Sequence, residues 1–258
     1  MGMKRMACLD FVAGDYQFLA GAAFSEAVIA NQGFCLHRVR FAQAIPMAEG
    51  FERLAEHLQR AGRPGTALAA CELRSPAPQS REDFNAFNQT YLKHIEALGC
   101  KQGDAYPVTR SNMAPLLSKP STALLYAFTY TEALSDPVSG SIGSDFVIAG
   151  KPENRLLPDG STEIVGGEAS DAKALIEKAR YTLDVMMERV LSVGASWESV
   201  SALQIYCPVD IQVLWSTFEE YGLAHLGLHW YPGWPPVKGM VFEIDVRRTS
   251  RETVLDAF

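Results

Sequence analysis

The same order of elements runs through this chain twice, and no other feature limits its fold so sharply. In the first half, "YQFLAGAAF" reads as a short early strand. The segment "MAEGFERLAEHLQRAG" spaces Phe51, Leu54, Ala55, Leu58 and Ala61 on one helical face, with Gly62 just past its end. The strand-like run "TALAACELRSP" stops at Pro76 and Pro78, and "REDFNAFNQTYLKHIEALG" then lines up Phe84, Phe87, Asn88, Tyr91, Ile95 and Leu98. The segment "YPVTRSNMAP" leads to a closing strand, "TALLYAFTY". The second half repeats this order. "SDFVIAG" is its early strand, and a long helix follows from Ser170 as N-cap, with Ala172, Leu175, Ile176, Ala179, Leu183, Met186, Met187 and Val190 as its apolar stripe. Next come the strand "ESVSALQIYCP", a shorter helix in "DIQVLWSTFEEYGLA", the segment "HLGLHWYPGWPPVKG" and the closing strand "MVFEIDVRR". The expected fold class is therefore α+β. Two tandem modules, residues 1–134 and 146–258, each hold a mixed β-sheet with two helices on one face, joined by a Pro/Ser/Gly-rich linker over 135–145.

Composition narrows the function. With 258 residues and 48% hydrophobic side chains, the chain has material for a substantial core. Its 30 acidic and 23 basic side chains include no basic stripe with interleaved aromatics, so nucleic acid is not an expected partner. Cys8, Cys35, Cys71, Cys100 and Cys207 form no CxxC pair and read as reduced thiols of a cytoplasmic protein. No segment reaches the roughly 18 apolar residues of a membrane span. There is no GxGxxG, Walker loop or GxSxG elbow, and no cofactor is expected.

Several side chains are candidates for chemistry. Arg110, flanked by Thr109, Ser111 and Asn112, is either a surface arginine or the fork of an anion cradle whose short polar neighbours complete it. Glu243 shares a strand face with Val241 and Asp245. It is a solvated carboxylate or, if both acids are enclosed, a general acid or base with a raised pKa. Glu72 lies on an apolar strand face, where Arg74 offers a structural ion pair; a catalytic acid is the alternative. Asn88, on the apolar face of its helix, needs hydrogen-bond partners and reads first as structural. In "HLGLHWYPGWPP", His225 and His229 are four residues apart, but Gly227 and the prolines argue against a helix and no third ligand is implied, so no metal site is expected. His229 and Trp230 suit either a pocket wall for a planar substrate, with His229 moving protons, or a plug at an interface.

Taken together, "YPVTRS", "DFNAFNQTYLKHI", "FVIAG", "LSVGASWESV", "SALQIYCP" and "VFEIDVRR" resemble the YjgF/RidA superfamily of small trimeric enamine and imine deaminases, and distantly the chorismate-hydrolysing tandem enzymes. The resemblance implies an arginine, here Arg110, that holds the substrate carboxylate, and a glutamate, here Glu243, that orients the attacking water. It also places Asn88 near the site. The first half carries Leu125 or Tyr126 where the glutamate would stand, and the second half lacks the arginine. Since family sites form between neighbouring subunits, Arg110 and Glu243 either meet between modules or lie in two separate pseudo-sites. The implied activity is metal-independent hydrolytic deamination of a small conjugated imine or enamine acid, 2-aminoacrylate-like or 2-aminomuconate-like, by a homotrimer. A chorismate-type hydrolase, drawing a second cation from Arg74, Arg247 or Arg248, and a non-catalytic binding protein are the alternatives.

Overall fold

The computed structural model describes residues 8–21, 23–135 and 144–256. The first half runs β1 (Cys8–Phe11), β2 (Tyr16–Ala20), β3 (Ser25–Ala30), β4 (Phe34–Pro46), α1 (Met47–Arg60), β5 (Leu68–Arg74), α2 (Arg81–Ala97), β6 (Thr109–Pro115) and β7 (Leu124–Ala133). The second runs β8 (Phe146–Pro152), the small hairpin β9 (Asn154–Leu156) and β10 (Thr162–Ile164), α3 (Ala172–Ser192), β11 (Ala202–Cys207), α4 (Trp215–Glu220), β12 (His229–Trp234), β13 (Glu243–Arg248) and β14 (Arg251–Leu255). The chain is thus a mixed α/β fold. Among the described residues it has four α-helices, and twelve strands join in one sheet in the order β1-β2-β3-β8-β13-β11-β12-β6-β5-β7-β4-β14.

Periodicity accounts for the helices. The stripe of α3 buries Leu175, Ala179, Leu183, Met186 and Val190 against Phe146, Ile148, Leu203, Ile205, Phe242, Ile244 and Val246 of the strands beneath it. In the other half, Phe51, Leu54 and Leu58 of α1 and Tyr91, Leu92 and Ile95 of α2 close over Val39, Leu68, Cys71, Leu73, Leu125 and Phe128. The α3 cap is one residue later than expected. Asp171, not Ser170, accepts the hydrogen bond from the Ala174 amide.

Three features differ from the sequence expectation. The run "YQFLAGAAF" is not one strand: β2 ends at Ala20 and β3 begins at Ser25. The thirteen-residue β4 was hidden by His37, Arg38 and Arg40, whose charges break the apolar pattern, although Arg38 is itself buried in an ion pair. "YPVTRSNMAP" contains a full strand, β6, parallel to β5. Of the linker, residues 136–143 lie outside the described residues.

The halves are laced together. Strand β3, from the first half, pairs antiparallel with β8 of the second, and β14, at the end of the second half, pairs parallel with β4 of the first. Strand β12 joins β6 through Gly233–Pro115 and Trp234–Ala114. A single bridge, Ser25 to Thr109, also links β3 to β6. These contacts bring one edge of β6 beside the second half's sheet, where the candidate site lies.

Candidate active site

Strand β6 alternates between two environments. Arg110 turns toward α2, and Asn112 shares its face and lines the same cleft. Ser111 points the other way, into a polar interior with Glu72, Asp245 and Arg247. Burial strips water from the Arg110 guanidinium, and that desolvation lowers its pKa to about 10, still charged at neutral pH. Nη1 of Arg110 donates to Asn88 Oδ1 at 2.8 Å, and the guanidinium carbon lies 4.1 Å from the centre of the Phe24 ring, with Tyr91 at 5.0 Å and Phe84 at 5.2 Å. No carboxylate lies within ion-pair distance of Arg110 among the described residues. Among the described residues the fork thus has one hydrogen-bond acceptor, the Asn88 amide oxygen, and aromatic rings around it.

Glu243 opens β13, opposite Tyr206 of β11 and Pro152 of β8. Phe242, Ile244 and Val246 face the α3 core, so Glu243, Asp245 and Arg247 face the opposite side. Burial raises the Glu243 carboxyl well above its ordinary range, and the neighbouring Asp245 raises it further, while the Arg110 charge opposes both. Gly150 makes room for this carboxyl. A Cβ there would come within 2.1 Å of Glu243 Oε1.

Arg110 and Glu243 line one cleft of about 460 Å³, within the usual range for small-molecule sites. The wall from the first half carries Phe24, Phe84, Asn88 and Asn112; the other half adds Gly150, Lys151, Pro236 and Met240. Lys151 is desolvated to a pKa of about 8 and gives its ammonium to the backbone oxygen and Oδ1 of Asn154. Behind the site, Glu153 accepts from the Val241 amide at 2.7 Å and the Phe242 amide at 3.2 Å, and is paired with the fully buried Lys178 at 3.3 Å. This couple fixes the start of β13, and with it Glu243.

The other candidates lie elsewhere. Glu72 pairs with Arg38, not Arg74, through two bonds of 2.6 and 2.9 Å. Burial alone would raise its pKa, but Arg38 and the guanidinium groups of Arg247 and Arg74 hold it well below the usual carboxylate range. Arg74 instead lies 3.9 Å over the Tyr126 ring and 5.1 Å from Tyr231. The Tyr126 and Tyr231 hydroxyls meet at 3.3 Å, so Tyr126 sits in an aromatic cluster and does not line the cleft. His229 and Trp230 are exposed at the start of β12, where Trp230 Nε1 donates to Cys207 O at 2.8 Å. Neither lines the Arg110 cleft, because β12 runs parallel to β11 and sets His229 opposite Gln204 and Trp230 opposite Ile205. No cluster of metal-ligating side chains is present among the described residues.

Sequence reasoning missed Arg81, Lys151, Gly150 and Glu153. For Arg81 a signal existed: it stands seven residues before Asn88, two helical turns away on the same face. Lys151 and Glu153 carry no local pattern, because their roles depend on strands distant in sequence.

A two-sided cleft thus joins a buried arginine to a buried carboxyl whose anionic form burial disfavours. The chain belongs to the 2-aminomuconate deaminase CnbZ family, whose model matches residues 8–253. It is 33% identical over 249 residues to 2-amino-5-chloromuconate deaminase of Comamonas testosteroni, spanning 95% of this chain and 98% of that protein. It is thus a homologue of enzymes that cleave C–N bonds. Among solved structures, a chorismatase is 10% identical with a TM-score of 0.44, over 86% of this chain and 77% of that one. A cyanuric acid hydrolase from A. caulinodans is 10% identical with a TM-score of 0.39, over 85% and 68%.

Proposed function

We propose that this chain hydrolytically deaminates a 2-aminomuconate-type enamine acid in the Arg110–Glu243 cleft. The observation that carries the reading is that these two groups, 133 positions apart in the chain, line the same cleft. The family and the Comamonas relative's printed activity support the substrate class.

In this reading Arg110 grips the carboxylate beside the amino-bearing carbon, and Asn88 holds the guanidinium in place. Neutral Glu243 gives its proton to the enamine carbon, turning N–C=C into a cationic iminium. The resulting carboxylate takes a proton from water as the water oxygen bonds to the iminium carbon. Glu243 then returns that proton to nitrogen, the C–N bond breaks with its electron pair leaving on ammonia, and the hydroxyl proton passes back to Glu243 as C=O forms. Enamine and water become ketone and ammonia, and Glu243 ends protonated as it began. A carboxyl with a raised pKa suits both halves of this cycle.

The reading includes the RidA-like organisation of residues 1–134 and 146–258 as tandem modules and assembly as a trimer. It is supported by the repeated order of elements, with α1 and α2 over one set of strands and α3 and α4 over the other; sedimentation of the purified chain tests the trimer. Ammonia release from freshly generated 2-aminomuconate tests the chemistry. Wild type should turn over, Glu243→Gln should lose roughly 10²–10⁴ in kcat, and Arg110→Ala should lose roughly 10- to 100-fold in kcat/KM. A folded wild type that releases no ammonia refutes the proposal.

A further inference from the structure

The cleft carries more positive charge than one carboxylate needs. Arg81, Arg110, Lys151 and Arg189 line it, against Glu26 and Glu243. Arg189 is paired with Glu26 at 3.0 Å, and Lys151 is held by Asn154. Arg81 donates from Nη2 to Thr162 Oγ1 at 2.9 Å and has no carboxylate partner among the described residues.

Its backbone is fixed, and its side chain is exposed at the cleft's rim. Arg81 is the first residue of α2, and the turn before it is tied to the opposite wall: the Gln79 amide donates to Pro236 O at 2.8 Å, and the Lys238 amide to Gln79 O at 2.9 Å. From Asn88, which holds Arg110, the helix runs back two turns to Arg81, about 10 Å along its axis. Phe84 and Asn85 lie between them in the cleft wall, facing Pro236, Val237 and Met240. A planar chain of six carbons separates its two carboxyl carbons by about 6 Å. With a guanidinium about 4 Å beyond each carboxyl carbon, such an acid needs two arginine heads roughly 14 Å apart, and the flexible Arg81 stem makes up the difference from the helical spacing.

We propose that Arg81 is a second carboxylate anchor, which makes this cleft selective for planar six-carbon dicarboxylic acids over monocarboxylic acids of the same length. The inference rests on the reading of Arg110 as the first anchor. Calorimetric titration with trans,trans-hexa-2,4-dienedioate and with hexa-2,4-dienoate, which lacks the second carboxylate, tests it without turnover. Wild type should bind the diacid roughly tenfold more tightly. Arg81→Gln should collapse that preference toward one, whereas Arg110→Ala should weaken both ligands. A preference that survives Arg81→Gln, equal weakening of both ligands by Arg81→Gln, or a wild type without preference overturns the proposal. A wild type that prefers the diacid through Arg81 yet releases no ammonia from 2-aminomuconate sinks the deaminase reading alone.

Discussion

At the scale of single residues, Glu243 couples function to stability through its proton. Its carboxyl titrates well above the ordinary value in the folded chain because burial and Asp245 disfavour the anion. Below the ordinary carboxylate pKa both folded and unfolded chains hold the proton, and there is no penalty. As pH rises, the unfolded chain ionises freely while the folded one retains its proton, so stability falls progressively toward the folded pKa. Glu243→Gln removes this loss. Its gain in Tm over wild type should be near zero at pH 4 and grow toward pH 8 in thermal scans, even as activity disappears. Gly150 makes a second point. A Cβ there displaces only the tip of the Glu243 side chain, so Gly150→Ala should cost at least tenfold in kcat while leaving the thermal transition within a few degrees of wild type. Unchanged kcat would show that the carboxyl works from another position.

At the scale of elements, the start of β13 depends on a buried ion pair from another part of the chain. Lys178 on α3 also donates to the Val165 and Gly167 carbonyls at 2.9 and 2.6 Å, so its ammonium is fully satisfied away from water. Lys178→Met strands the Glu153 carboxylate without its cation, and equilibrium denaturation should register a loss of about 3–5 kcal/mol. A loss below about 1 kcal/mol would show that this pair does not hold the start of β13. The α3 cap gives a smaller, sharper comparison. Asp171→Ala should cost about 1 kcal/mol and Ser170→Ala nothing measurable, because only the Asp171 carboxylate reaches the Ala174 amide.

At the scale of the whole molecule, the ends of the chain are exchanged between its halves. Strand β3 lies between β2 and β8, and β14 completes the edge beside β4. Arg38 of β4 and Arg247 of β13 both contact Glu252 of β14, at 3.6 and 3.3 Å. Cutting the chain between the halves therefore strips each of a strand it does not encode. The full chain should unfold in one transition by far- and near-ultraviolet circular dichroism, and residues 1–134 expressed alone should lack a cooperative transition. A cooperative fold for the isolated half would show that the lacing is dispensable.

The sequence by itself determined the elements that depend on local periodicity: α1, α2 and α3 with their buried stripes, and β5, β7, β11 and β13. It also marked Arg110, Asn88 and Glu243, since a charged or amide side chain inside an apolar pattern must have a partner or a task. It did not reveal β4, whose buried Arg38 looks like a solvent-facing residue until Glu72 is seen opposite it, nor the placement of Ser111 and Tyr126, which turn away from the cleft. The tertiary structure alone decided that Arg110 and Glu243 line one site. That outcome depends on which strands flank β6, with β5 and β12 along it and β3 bridged to it, and strand order is set by long-range pairing that leaves no period in the chain.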